Sequence, residues 1–239
     1  MAALPDSIDA LLIPALNGWV GVSPVLDRAI VMLSQAELLK GVVTFAIFWW
    51  LWGAPADRHG DRRPTLLAGF AAAVAAVAAG KGLAAILPAE PRPLHDPALA
   101  IRLADGLPAY PRDGANAFPS DHAVLYVAMA VAILRASRVA GLLALLHALV
   151  VVCLPRVVLG LHGPSDVAAG ALVGAGVVLA LAPPFEALLV RTPLYDGLTA
   201  RPGFLHAALF AATMVAALNF APLREVARDL AALAPAAGP

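Results

Sequence analysis

Six stretches of this chain are too apolar, over too great a length, to be left in water: Glu37–Gly53, Pro64–Leu87, Asp121–Ala136, Val139–Leu161, Pro164–Ala182 and Gly203–Ala221. A helix that crosses a bilayer takes about 20 mainly apolar residues, with a range of about 17–25. Inside lipid every backbone N–H and C=O must find a partner within the structure, and a helix supplies one for each. Composition agrees: the 239 residues are 61% hydrophobic and 13% charged, where a soluble domain is about 45–50% apolar and about 25% charged. The expected fold is all-α, a single membrane-embedded unit over residues 1–239 with six spanning helices in one bundle.

The polar remainder narrows the partners. Sixteen basic and sixteen acidic residues cancel, so no polybasic domain points to nucleic acid. The one cysteine, Cys153, excludes an internal disulfide and a cysteine metal cage. The N-terminal MAALPDSIDALLIP has no basic residues ahead of its apolar ones, which argues against a cleaved signal peptide. Within Ser7–Val20, Ile8, Leu11, Leu12, Ala15, Leu16 and Trp19 recur at helical spacing, the pattern of a helix lying on the membrane surface. Trp49, Trp50 and Trp52 read as an interfacial aromatic belt. The connection Pro88–Phe118, rich in Pro, Asp and Arg, is too long for a helix hairpin and reads as a functional loop. Arg224 to Asp229 alternates charged and apolar residues, as a short surface helix before a frayed end would.

Orientation follows from the basic residues of the short loops. Arg58, Arg62 and Arg63 lie between the first two spans, Arg135 and Arg138 between the third and fourth, Arg191 and Arg201 between the fifth and sixth. These loops share one face, which is expected to be cytoplasmic. Both termini and the Pro88–Phe118 loop then lie outside, in what reads as a bacterial inner (cytoplasmic) membrane.

The outer face gathers the chemistry. Lys81 closes the second span, Arg92-Pro93 follows, Pro119-Ser120-Asp121-His122 opens the third, and Arg156, His162 and Asp166 bracket the turn between the fourth and fifth. Ionisable groups at the border of apolar helices are costly and mark function. Alternation of helix direction puts all of them at one end. A lone histidine in an apolar helix, such as His147 or His206, reads as a packing residue. His162, six residues after Arg156 and four before Asp166, does not.

This order of motifs resembles the type 2 phosphatidic acid phosphatase superfamily, membrane lipid phosphatases related to vanadium haloperoxidases. Its three motifs are Lys followed by Arg-Pro, Pro-Ser-Gly-His, and Ser-Arg with five residues, His, three residues and Asp; Lys81, Arg92, Ser120, His122, Arg156, His162 and Asp166 fall on them. The resemblance implies that His162 is a nucleophile forming a phosphohistidine, that Asp166 holds its other ring nitrogen, and that His122 is the general acid. Arg156, Arg92 and Lys81 would clamp the phosphate and Ser120 would add a hydroxyl. No metal and no cofactor are implied. The sequence departs from the pattern in three places: ten residues separate Lys81 from Arg92 where six are usual, Asp121 stands for the glycine, and Pro155 stands for the serine. Asp121 is expected to cap the third helix or to hold a basic residue, because a carboxylate repels phosphate. His95 and Asp96, just after Arg92-Pro93, and Asp121 are candidates for substrate contact.

The expected activity is hydrolysis of a lipid phosphate or diphosphate at the outer face, with undecaprenyl diphosphate the first substrate choice and phosphatidylglycerol phosphate or phosphatidic acid next. The alternatives are a vanadate-binding haloperoxidase and a non-catalytic lipid-phosphate binder or transporter. Orientation has a direct test. A cysteine placed at Asp105 should react with an impermeant thiol reagent in intact cells, and one placed at His59 only after permeabilisation; the reverse pattern would put the site in the cytoplasm.

Overall fold

A computed structural model describes residues 7–56, 60–109 and 116–222. Met1–Asp6, Arg58, His59 and the Arg224–Asp229 segment lie outside the described residues. The helices run α1 (Ile8–Asn17), α2 (Pro24–Gln35), α3 (Glu37–Gly53), α4 (Arg63–Ile86), α5 (Asp121–Ala136), α6 (Arg138–His147), α7 (Leu154–Val158), α8 (Pro164–Arg191), α9 (Leu194–Thr199) and α10 (Pro202–Ala217). Among the described residues there is no β-strand. Serine starts several of the helices: Ser7 and Ser23 accept from Ala10 and Leu26 N–H at 3.1 Å each, and Ser137 both ends α5 and caps α6. Between α6 and α7 the turns widen to a π segment, Ala148–Cys153. The widening lies directly before Pro155, whose ring and missing N–H disturb the preceding turn of a regular helix.

Among the described residues, three helices are long and apolar enough to cross a membrane: Arg63–Ile86, Arg138–Val158 and Pro164–Arg191. The pair α2 and α3, bent by 57° at Ala36, adds a fourth span if taken as one. The other two expected spans, α5 and α10, have 16 residues each. At 1.5 Å per residue that is about 24 Å, short of a hydrocarbon core of about 30 Å. For α5 the reason is packing. It sits between α4, α6 and α8, with His122 through Ala130 all buried. A helix apolar on every face belongs inside a bundle.

Other elements differ from the sequence expectation. The helix α2 takes in Asp27 and Arg28, which read as interruptions. The Asp27 carboxylate accepts from the N–H groups of Gly21 (2.9 Å) and Asp105 (3.1 Å), and Arg28 pairs with Asp105 at 2.9 Å, so both charges fasten the helix to the long loop. Helix α8 continues beyond Ala182 to Arg191, through Pro183 and Pro184. Of Trp49, Trp50 and Trp52 only Trp50 is well exposed; Trp52 is core, and Trp49 donates to Thr213 at 3.1 Å. At the end of the bundle away from the long loop, Glu186 accepts from Arg135 (2.6 Å) and Thr65 (2.5 Å), joining α8 to α5 and α4.

Small residues let α8 lie directly on α5. A β-carbon on Gly174 would stand 2.4 Å from the Val124 carbonyl oxygen, and one on Gly170 would stand 2.6 Å from that of Ser120. Both contacts are with backbone, so neither can be relieved by a rotamer change. The two glycines are one helical turn apart and form the small-xxx-small pattern that membrane helices use for close approach. Gly174→Ala is expected to destabilise the protein in detergent by about 1–3 kcal/mol. On the same helix, Gly176 has no neighbour within 4 Å of a built β-carbon, so Gly176→Ala should be neutral or stabilise by up to about 1 kcal/mol through helix propensity. Thermal unfolding of the two variants checks the packing; equal behaviour would refute it.

Candidate active site

The loop segments around the ends of the helices that face the long loop are stitched by backbone hydrogen bonds. Leu94 N–H donates to the Gly160 carbonyl at 2.9 Å, Ala117 N–H to Glu90 at 2.9 Å, and Ser120 N–H to Asp166 at 3.1 Å. Gly160 ends α7 with φ +67°, in the left-handed region where glycine is favoured. The Asn116 side chain adds to the stitching. Its oxygen accepts from the N–H groups of Glu90 and Phe118 at 3.1 Å each, and its amide donates to the Ala84 carbonyl at 3.2 Å.

These links close a polar cavity of about 350 Å³. Lys81, Arg92, Asp121, His122, Arg156 and His162 line it, together with Asn116, Phe118, Pro119 and Asn219. Six positions marked by the sequence motifs therefore meet in one place. Ser120 and Asp166 lie just behind the lining and are buried; among the described residues the Ser120 hydroxyl has no hydrogen-bond partner. His95 and Asp96 are elsewhere. Asp96 closes a turn by accepting from Ala98 N–H at 2.9 Å, and His95 lines a separate cavity with Leu103 and Leu107. Asp121 pairs with Lys81. That pair is about half exposed, and such a pair contributes at most about 1 kcal/mol to stability; it sets where the Lys81 charge sits.

His162 is 4% exposed. Its Nδ1 lies 2.9 Å from the Ala117 carbonyl oxygen and its Nε2 lies 3.5 Å from Arg156 Nη2. A carbonyl only accepts and a guanidinium only donates. Both contacts select one tautomer, with the proton on Nδ1 and a lone pair on Nε2 beside Arg156. The expected bond from Asp166 to the ring is not made: Asp166 Oδ2 lies 3.8 Å from Nδ1, beyond hydrogen-bond reach. It accepts instead from Gly163 N–H at 2.6 Å. Asp166 thus holds the turn that carries His162 and places a carboxylate near the ring. Burial lowers the His162 pKa well below its ordinary value, and the Arg156 and Arg92 charges lower it further.

Two side chains that the sequence reading passed over belong to this end of the bundle. Lys40, 1% exposed, donates to His122 Nε2 at 3.1 Å and to Glu37 Oε1 at 2.8 Å. Their spacing of three residues at the start of an apolar run was the available signal. Asn219, lining the cavity after α10, carries no such signal. His147 is a packing residue, 3.4 Å from Thr44 Oγ1 and 3.3 Å from the Leu39 carbonyl. Among the described residues no three His, Cys, Asp or Glu side chains converge as a metal site would.

The family model of the PAP2 superfamily matches residues 63–187, from the first residue of α4 into α8. That span contains the lysine, arginine and histidine positions of the cavity apart from its margin at Asn219. No curated protein and no solved structure matches the chain.

The His162 environment can be read directly. In protein labelled with nitrogen-15 on histidine, the His162 ring should remain neutral at pH 6.5, where an unperturbed imidazole is about half protonated. Its Nδ1 should show the shift of a protonated nitrogen. A doubly protonated ring at that pH, or the Nε2–H tautomer, would contradict the geometry.

Proposed function

The chain belongs to the PAP2 superfamily, whose members are in general phosphatases, and from that premise we propose that it hydrolyses a membrane lipid phosphate or diphosphate through a phosphohistidine on His162. The observation that carries this reading is the state of His162: buried, with its proton directed to the Ala117 carbonyl and its Nε2 lone pair beside Arg156 in a cavity also lined by Arg92. Phosphoryl transfer is mainly positioning plus stabilisation of charge on the equatorial oxygens. Arg92 and Arg156 supply planar forks for those oxygens, and Lys81 a third cation. Nε2 attacks phosphorus and His122 protonates the leaving oxygen. Water, losing its proton to His122, then attacks the phosphohistidine. The phosphorylated ring carries positive charge while Nδ1 keeps its proton, and the Asp166 carboxylate 3.8 Å away stabilises it.

Architecture supports a lipid. The cavity opens where apolar helices stop, so a headgroup can enter while its tails remain in the bilayer. Beside it an apolar groove of about 220 Å³ runs between α3 and α10, lined by Leu38, Val42, Phe45, Phe210 and Met214, with Glu37 and Leu218 also on its wall. Leu218 is followed by Asn219 of the headgroup cavity, so groove and cavity adjoin. We take the protein as one membrane-embedded unit with six crossings, α5 and α10 counted with the four longer ones, in a bacterial inner membrane with the site facing away from the cytoplasm. Undecaprenyl diphosphate is the first substrate choice, then phosphatidylglycerol phosphate and phosphatidic acid.

Phosphate release should be measured in detergent from a prenyl diphosphate, phosphatidylglycerol phosphate, phosphatidic acid and a soluble sugar phosphate. Turnover of one or more of the lipids is expected, and His162→Ala should lower it by at least about 10³-fold. Rapid quench with labelled substrate should trap an acid-labile, base-stable phosphoprotein in the wild type. The same label in His162→Ala would overturn the nucleophile assignment, and a preference for the sugar phosphate would overturn the lipid reading. Asp166→Asn should lower kcat with little change in KM, because the carboxylate acts through the ring.

A further inference from the structure

The mechanism above leaves one buried cation without a task. Lys40, on α3, is 1% exposed and lines no part of the cavity. Its Nζ lies 2.9 Å from the Ser34 carbonyl, 2.8 Å from Glu37 Oε1 and 3.1 Å from His122 Nε2. An ammonium has three N–H bonds and no lone pair, and here each has one acceptor. His122 therefore presents the lone pair of Nε2 to Lys40 and carries its own proton on Nδ1. A buried ammonium is tolerated only when paired and hydrogen-bonded. Glu37 supplies the opposite charge, and the carbonyl end of α2 adds a favourable dipole. Arg156 faces the same carbonyl, 3.4 Å from Ser34 O, so the charges around this point are Glu37, Lys40, His122 and Arg156.

A neutral imidazole is a poor acid by itself, because giving up its proton would leave an imidazolate. We propose that Lys40 supplies, through His122, the proton that the leaving oxygen takes. The proposal rests on the reading of the protein as a phosphatase with His122 as general acid. As the His162 Nε2–P bond forms and the P–O bond to the leaving group breaks, the Nδ1 proton of His122 moves to the leaving oxygen. An Nζ proton of Lys40 moves to His122 Nε2. The imidazole stays neutral and Lys40 becomes an amine beside Glu37. When water attacks the phosphohistidine, its proton enters His122 at Nδ1 and the Nε2 proton returns to Lys40. Protons and charge balance over the two steps, and no further reactant is needed. Glu37 and Lys40 do not touch substrate; they act through His122.

The test compares leaving groups. Phosphatidic acid must release an alkoxide, which needs a proton, whereas p-nitrophenyl phosphate releases a phenolate, which does not. Lys40→Met should lower kcat on phosphatidic acid by about 100-fold with KM nearly unchanged, and kcat on p-nitrophenyl phosphate by less than about 3-fold. Lys40→Arg keeps the charge but cannot give up a proton, so it should show the same selective loss. Glu37→Gln, a partly exposed position that spares the lysine, should shift the ratio in the same direction by about 10-fold, and it decides the matter if the Lys40 variants do not fold. Equal loss on both substrates, no loss on either, or full recovery in Lys40→Arg would overturn the proposal while leaving the phosphatase reading intact. Wild-type protein that turns over neither of these substrates, nor a prenyl diphosphate or phosphatidylglycerol phosphate, would overturn both.

Discussion

The carbonyl of Ser34 is shared by two cations, Lys40 Nζ at 2.9 Å and Arg156 at 3.4 Å, and much of the site follows from it. In an unbroken helix this oxygen would accept from an N–H four residues on. The break at Ala36 bends the chain by 57° and leaves it for side chains. A greasy bundle has few polar groups to offer, and two guanidinium or ammonium groups cannot be buried in it without acceptors. The chain obtains an acceptor by interrupting a helix at a point covered by protein, a setting in which irregular backbone is tolerated at depth. The Ala117 carbonyl does the same for the His162 ring. Main-chain oxygens thus fix both histidine-bearing ends of the cavity, one directly and one through Lys40.

Precision at those ends depends on α5. It carries His122 at its first turn and is buried along most of its length, so it cannot tilt without moving α4, α6 and α8 together. Gly170 and Gly174 bring α8 to backbone contact with it, and the Ser120 N–H to Asp166 carbonyl bond ties the starts of the two helices. His122 and His162 arrive from different elements, yet one rigid contact sets the distance between those elements.

Much of this was legible in the chain. The apolar runs gave most helices to within a few residues, and the spacing of Arg156, His162 and Asp166 marked the cavity before any coordinates. What was missed shares a cause. The α2–α3 break carries no proline or glycine, since Ala36 is turned by its tertiary surroundings. Asp27 and Arg28 looked like interruptions because their partners, in the Asp105 region, lie far along the chain. The partner of His162 Nδ1 is a backbone oxygen, and a carbonyl has no letter in a sequence. The family resemblance implied that Asp166 orients the ring, but a helix-start carboxylate is also well placed to take the N–H of its own first turn, and here Gly163 wins it. Trp52 left the expected aromatic belt for the opposite reason, lying close enough to Phe48 to pack as core.

Helix α1 is fastened at both ends to parts of the chain made much later. Near its start, Asp9 accepts from Ser165 N–H at 2.9 Å and from the Ser165 hydroxyl. At its end, Asn17 donates to the carbonyls of Val158 (2.9 Å) and Arg102 (3.0 Å) and accepts from Arg102 N–H at 2.8 Å. Ser165 is 156 residues downstream of Asp9. A segment made well before its partners is therefore among the last to find its place. It must wait until α8 has been made, and only then does the turn bearing His162 acquire this support. Assembly of the site is in this sense a late event of biogenesis, closed by a helix made long before the residues that hold it.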